Sequence, residues 1–487
     1  MDLKKKTFSG FIWLFAGNSS QTVFQILVTT ILARLISPDD FGVVAIGTVF
    51  IGFSKIFSQL GMGAAIVQRR EISTSHIRTA FSISLFLGIF FCLLTVMLSN
   101  QVALYFEMTE LSTVLKMVSI IFIIDSFVSV SQAIIQRKLK MKYYALTELI
   151  SYLIAFGGLG VTLAFLNYGM YALVYASILQ AILRAILVSY LEPHSVIPFF
   201  KRESFYDLFF FASGQTFAKI ANYFAGEGDN LVVGKMLSAD ALGNYSQAYK
   251  LMVAPVRLIG QSLNIILFPV LASVQRDKTR VRRAYYRSIQ FVAYTSLIIS
   301  VVLFVNAEEI VLILLGSEWL QVVIPFQILA IGTIFRMSYK VSDSLVKALG
   351  DVYKRAIIQF GYAISVLLFS YIGHFWGIEG VAIGVLISIM LNFISMTYLS
   401  LLQFKDNGRE FIKLHFKPIL LAFVVFVFSY FVLYFLRTLN LNLILLEIIY
   451  IVLVFGFVMF VMIKFKEPLG ISNEINAILQ KLAQRKK

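Results

Sequence analysis

Apolar residues along this chain fall into blocks of about twenty, separated by short segments that carry most of the charge. A helix needs about 20 such residues to cross a hydrocarbon core. Blocks of that length lie near 10–33, 42–62, 79–99, 113–136, 146–165, 169–190 and 207–234. They continue near 243–268, 288–306, 320–346, 355–374, 378–402, 418–436 and 443–463. The pattern predicts an all-α integral membrane protein of about 14 transmembrane helices.

The chain repeats itself. Arg34-Leu35-Ile36-Ser37-Pro38-Asp39-Asp40-Phe41-Gly42 returns as Lys235-Met236-Leu237-Ser238-Ala239-Asp240-Ala241-Leu242-Gly243, displaced by 201 positions. Tyr168-Gly169-Met170 is echoed by Trp376-Gly377-Ile378, displaced by 208. Six predicted spans separate the copies, and an even number makes the repeats parallel. Parallel repeats place a substrate path between the halves. The expected organisation is an N-terminal six-helix lobe over 1–200, a second over 201–404, two additional spans over 405–466, and an amphipathic tail over 467–487.

Composition agrees with the membrane reading: 59% of residues are hydrophobic and 14% charged, against about a quarter charged in soluble domains. The net charge of +16 does not signal nucleic acid, because of where it sits. With the N-terminus inside, 31 Lys and Arg fall in predicted cytoplasmic segments and three (Arg34, Lys235, Arg437) in external ones. That bias is the positive-inside rule, and it sets both termini in the cytoplasm. The basic run Arg276 to Arg287 is expected to meet anionic headgroups of the membrane lipids. Cys92 is the single cysteine and the four histidines are far apart, so neither a disulfide, a metal site nor a cofactor is expected.

Polar residues inside the spans keep helical spacing, which puts each set on one face. Asn18, Gln21 and Gln25 share a face of the first span, Lys55 lies in the second and Asp125 in the fourth. The seventh carries Gln215, Lys219, Asn222, Gly226 and Asp229 on one face, with Glu227 in the same span; the eighth, Lys250, Arg257, Gln261 and Asn264; the tenth, Arg336, Lys340 and Asp343. A charge at mid-membrane costs about 2.5–3.5 kcal/mol on the lenient insertion scale. Several on matched faces predict one aqueous cavity with a positive balance, suited to an anionic ligand such as a phosphate. Arg257, Lys219, Lys250, Arg336, Lys55 and Lys340 are the expected ligand-binding cations. Asp125, Asp229, Asp343 and Glu227 are the acids suited to carry a coupling proton or sodium ion. Asn18, Gln21, Gln25, Asn222, Gln261 and Asn264 supply neutral polar lining. The repeated Ser-x-Asp reads as two helix starts rather than as catalytic acids, since Ser37 and Ser238 stand at N-cap positions.

The segments L-A-R-L-I-S-P-D-D-F-G (Leu32–Gly42), D-N-L-V-V-G-K (Asp229–Lys235) and L-G-N-Y-x-x-A-Y (Leu242–Tyr249), with Pro255 and Phe268-Pro269, carry a family resemblance. The chain resembles the polysaccharide transporter family, specifically the Wzx-type flippases of the colanic-acid and teichuronic-acid exporter branch. These belong to the multidrug/oligosaccharidyl-lipid/polysaccharide superfamily. The resemblance implies two six-helix lobes in a V, two extra C-terminal helices and a cationic cavity. It also implies a bacterial cell membrane and movement of an undecaprenyl-pyrophosphate-linked oligosaccharide to the outer leaflet, with a polysaccharide polymerase and chain-length proteins as partners. A drug exporter of the same superfamily would share the architecture but should have an acidic cavity. A membrane glycosyltransferase or polymerase would need longer external loops than these. Neither ATP coupling nor catalysis is expected.

Overall fold

The computed structural model describes the backbone of residues 3–465, apart from 60, 70, 274–276, 405 and 407. Within that range it does not describe the side chains of 3–16, 18, 54, 57–59, 210–215, 217–218, 259–270, 272–273 and 352. The side chains of Asn18, Gln215, Gln261 and Asn264, and the predicted tail 467–487, therefore lie outside the described residues.

Regular structure among the described residues is helical. The first half holds α1 (Leu3–Ala33), α2 (Pro38–Gln59), α3 (Met62–Gln68), α4 (Thr74–Phe106), α5 (Leu111–Val118), α6 (Ile120–Arg137), α7 (Met141–Tyr152), α8 (Val161–Phe165) and α9 (Met170–Leu191). A π-helical turn, Leu153–Gly160, joins α7 to α8. The second half holds α10 (Arg202–Met236), α11 (Ala239–Ser273), α12 (Lys278–Val305), α13 (Ala307–Leu314), α14 (Val323–Ile331), α15 (Thr333–Ala348), α16 (Val352–Gly373) and α17 (Gly377–Leu402). Two more helices follow, α18 (Arg409–Thr438) and α19 (Leu443–Lys464).

Among the described residues, eight stretches are long and apolar enough to cross a membrane. The pair α14–α15, bent by 41° at Gly332, makes a ninth. The sequence predicts fourteen spans. The count of eight covers the described residues only: α1, α2, α10 and α11 have span length (31, 22, 35 and 35 residues), and each includes positions whose side chains are not described. In addition, α16 and α17 together form one of the eight stretches.

One apolar core runs through both halves, from Val28 of α1 to Phe411 in the first turn of α18. The appended α18 and α19 build a separate core on α12, where Tyr294 meets Leu421, Val425, Tyr450 and Val454. At the opposite end of α12 the helix continues about three turns below the predicted span. There Arg282 is held by Asp406 at 2.6 Å, while Arg280, Arg283 and Arg287 stay exposed. Both copies of the second echo have a glycine in left-handed backbone, Gly169 (φ 53°) and Gly377 (φ 69°). That backbone strains a side chain with a Cβ, which explains why glycine recurs there.

Candidate functional site

The first echo builds the seam between the halves. Ser37 Oγ accepts from Asp40 N at 3.2 Å, and Ser238 Oγ accepts from Ala241 N at 3.1 Å. Both serines cap helix starts, as the sequence predicts. The two starts then pack on each other reciprocally. A Cβ on Gly42 would lie 1.8 Å from the Ala239 carbonyl oxygen, and one on Gly243 would lie 1.9 Å from that of Pro38. Position 38 corresponds to 239 and 42 to 243, so the contact repeats itself about a local two-fold axis. Only hydrogen on the Cα of each glycine lets the backbones come so close.

Cations and one indole tighten this seam. Arg34 Nη2 donates to Ile313 O at 2.7 Å, and its echo Lys235 reaches Glu107 of the other half at 3.0 Å. Trp319 is fully buried, donates from Nε1 to Ala33 O at 2.7 Å, and meets Phe41 edge-on at 5.3 Å. All these contacts cluster at the end that the loop charges assign to the outside.

Beneath the seam lies a cavity of about 440 Å³ between the halves. Lobe one contributes Thr22, Gln25, Thr29, Thr48, Tyr152 and Gln180; lobe two contributes Glu227, Asn230, Gln247, Tyr249, Lys250 and Arg257. Neutral amides and hydroxyls thus dominate one wall, and the cations come from α11. Lys250 and Arg257, seven residues apart, stand on one face of α11. Lys250 approaches the Phe41 ring at 5.9 Å. Arg257 has no ion pair among the described residues and is exposed to the cleft.

The remaining candidate cations are placed differently. Arg336 sits behind Tyr249, donating Nη2 to its hydroxyl at 2.5 Å, and its Nη1 is buried without a partner among the described residues. Lys340 lies within the electrostatic reach of Arg336 and Arg257. Lys219 is exposed and shares its field with Lys55 rather than with the Arg257 group. The cations therefore form two groups, where the sequence alone suggests one. Gln21 is half-buried and Asn222 exposed, and neither lines the cavity.

The acids also divide. Asp125, 4% exposed, is paired with Lys55 at 3.3 Å and with Arg184, which also approaches Glu148 at 3.7 Å. Asp343 is paired with Lys347 at 2.5 Å and with Arg355. Asp229, 1% exposed, takes hydrogen bonds from the Tyr245 hydroxyl at 2.7 Å and from Asn230 N at 3.0 Å. Glu227 accepts from Asn230 Nδ2 at 2.8 Å and faces the cavity. Tyr245, Tyr249 and Asn230 are site residues that charge patterning passes over. The signal of the two tyrosines is the four-residue spacing of L-G-N-Y-x-x-A-Y and that of Asn230 is D-N-L-V-V-G-K, segments that mark family before they mark a site.

The Asp125 cluster yields a stability prediction. Asp125→Asn removes a carboxylate shared by two cations and leaves Arg184 with Glu148. Breaking a buried pair costs about 3–5 kcal/mol, with the low end expected because Lys55 is partly exposed. Purified Asp125→Asn should melt several degrees below wild type. Identical melting curves would show that the cluster holds nothing together.

A helical membrane protein with a seam between its halves and a polar cavity beneath it has the architecture of a membrane transporter. Residues 31–324 match the family described as polysaccharide biosynthesis protein, and the chain belongs to that family. It is 26% identical over 407 residues to an uncharacterized membrane protein in the cps region of Klebsiella pneumoniae, covering 83% of this chain and 84% of that protein. It is 24% identical to the lipopolysaccharide biosynthesis protein WzxC of Escherichia coli, covering 88% of each. The teichuronic acid biosynthesis protein TuaB of Bacillus subtilis is 23% identical over 75% of each chain. Among solved structures, the lipid II flippase MurJ in an inward closed conformation superposes with a TM-score of 0.74 at 15% identity, covering 93% of this chain and 99% of that one. An inward-facing multidrug transporter of the MATE family gives 0.63 at 16% identity, covering 79% and 94%.

Proposed function

We propose that the protein flips a polyprenyl-pyrophosphate-linked oligosaccharide, a polysaccharide repeat unit, from the cytoplasmic to the outer leaflet of a bacterial inner membrane. The observation that carries this reading is the cavity itself: closed at the seam, neutral and polar on the lobe-one wall, and cationic where Lys250 and Arg257 enter. Arg grips a phosphate bidentately and Lys serves as a point charge. Amides and hydroxyls suit a sugar. A volume near 440 Å³ holds a pyrophosphate and the first sugars, while the polyprenyl chain stays in lipid. The relatives' names point the same way: WzxC and TuaB are biosynthesis proteins of lipopolysaccharide and teichuronic acid, and MurJ is a lipid II flippase. A cavity for cationic drugs would need more than Glu227 as its acid.

In this reading the units 1–200 and 201–404 rock about the cavity, both termini face the cytoplasm, and 405–466 ride on the second unit. Coupling falls to Asp229 with Glu227, since Asp125 and Asp343 already neutralise two cations each. Asp229→Asn should abolish transport driven by a proton or sodium gradient and keep substrate binding measurable; gradient-driven transport at the wild-type rate would assign coupling elsewhere. A polymerase and chain-length proteins would take the product on the outer side.

The test of function is polymer export in a strain lacking its own flippase. The protein, at matched membrane abundance, should restore export of a compatible polymer. Absence of rescue, together with efflux of cationic dyes, would overturn the flippase reading.

A further inference from the structure

Where α12, α13 and α19 meet, a group of oxygen atoms lacks hydrogen-bond donors among the described residues. Asn306 joins α12 to α13, Glu309 lies in the first turn of α13, and Glu447 lies in the first turns of α19. Asn306 is fully buried and Glu309 is 3% exposed. Asn306 turns its amide nitrogen to Glu447 Oε1 at 2.6 Å. Arg437, in the last turn of α18, occupies Glu309 Oε1 at 2.7 Å and Glu308 Oε2 at 2.7 Å. That leaves Asn306 Oδ1, Glu309 Oε2 and Glu447 Oε2 buried and, among the described residues, without a partner.

Helix-dipole stabilisation accounts for part of this. Acids in the first turn of α13 are favourable, and Arg437 answers one of them. It does not account for three orphan acceptors in one place, each of which costs about 1–3 kcal/mol, and more when charged. Nor does it balance the charge. Glu308, Glu309 and Glu447 against Arg437 leave two negative charges at the junction of α12, α13, α18 and α19.

We propose that these oxygens form a site for a divalent hard cation of the calcium type. Such an ion takes carboxylate and amide oxygens in flexible geometry. Its two charges cancel the local surplus, and it satisfies all three orphan acceptors at once. The site would fasten the appended helix pair α18–α19 to the outer end of the second lobe, through Glu447 on one side and Asn306 and Glu309 on the other. Its position at the end assigned to the outside places it where divalent cations are available.

The experiment is thermal unfolding of the purified full-length protein in EDTA, in CaCl2, and in NaCl at equal ionic strength. CaCl2 should raise the wild-type Tm by at least about 2 °C, and NaCl should not. Glu447→Gln and Asn306→Leu should lose the rise. Asn306→Asp removes the amide donor and adds a third carboxylate, so it should melt lower than wild type in EDTA and gain more from calcium. If Asn306→Leu cannot be purified, the opposite responses of Glu447→Gln and Asn306→Asp decide. The proposal is overturned if wild type shows no calcium rise, if all variants rise equally, or if NaCl does as well as CaCl2. It is also overturned if acidification in EDTA replaces the calcium effect in wild type but not in Glu447→Gln, since the oxygens would then share a proton.

Discussion

Gly42→Ala and Gly243→Ala are each expected to stop export while leaving insertion and abundance normal. The added methyl would lie 1.8 Å or 1.9 Å from a backbone oxygen, and backbone cannot move aside as the end of a flexible side chain can. Over-packing costs about 1–3 kcal/mol. Here the cost falls on one state alone, the one in which the two helix starts touch. A differential cost of that size shifts the balance between outer-closed and outer-open states by about 5- to 150-fold. Because the contact is reciprocal, the two substitutions should have matching effects. Gly361→Ala, with nothing within 4 Å of its Cβ position, is the control and should export normally. Normal export by Gly42→Ala would mean that the seam does not need to close during the cycle.

Arg257→Ala is expected to be nearly inactive, and Arg257→Lys impaired. Arg257 is a cavity cation with no ion pair among the described residues, so its charge is available to a ligand. A charge-assisted contact is worth about 1.5–3 kcal/mol, or roughly ten- to a hundredfold in affinity. Lysine restores the charge but not the planar fork. Lys250→Ala should weaken export less, because its ammonium already sits against the Phe41 ring. Lys219→Ala should be milder still, since Lys219 belongs with Lys55 and lies away from Arg257. Export at the wild-type level by Arg257→Ala would remove the anionic headgroup from the account. The measurement is polymer export at matched membrane abundance.

Much of this architecture was legible in the sequence because membrane helices must satisfy their backbone internally and announce themselves by apolar length. The duplicated Arg34–Gly42 and Lys235–Gly243 segments were legible as helix starts. That the copies press against each other was not, because identity of sequence does not say which surfaces meet. The same limit separates Lys219 from Arg257. Helical spacing places each on a polar face, but only the packing of α10 against α2 brings Lys219 toward Lys55. The pairing of Asp125 with Lys55 and Arg184 likewise joins three helices, and no local pattern encodes it. The helix α12 begins at Lys278, ahead of the predicted span, because a basic extension has no hydropathy signal.

Solvent access to the cavity from each side of the membrane tests the central claim most directly. In a Cys92→Ser background, single cysteines at Gln25 and Ser246 place one probe on each wall of the cavity. A membrane-impermeant maleimide should label both from the cytoplasmic side and neither from outside while the seam is closed. Introducing Gly42→Ala should reverse the side of access, and added lipid-linked oligosaccharide should protect Ser246→Cys, which lies on the wall that carries Arg257. Labelling from neither side under any condition, or from both sides at once, would contradict an alternating cavity between the two lobes.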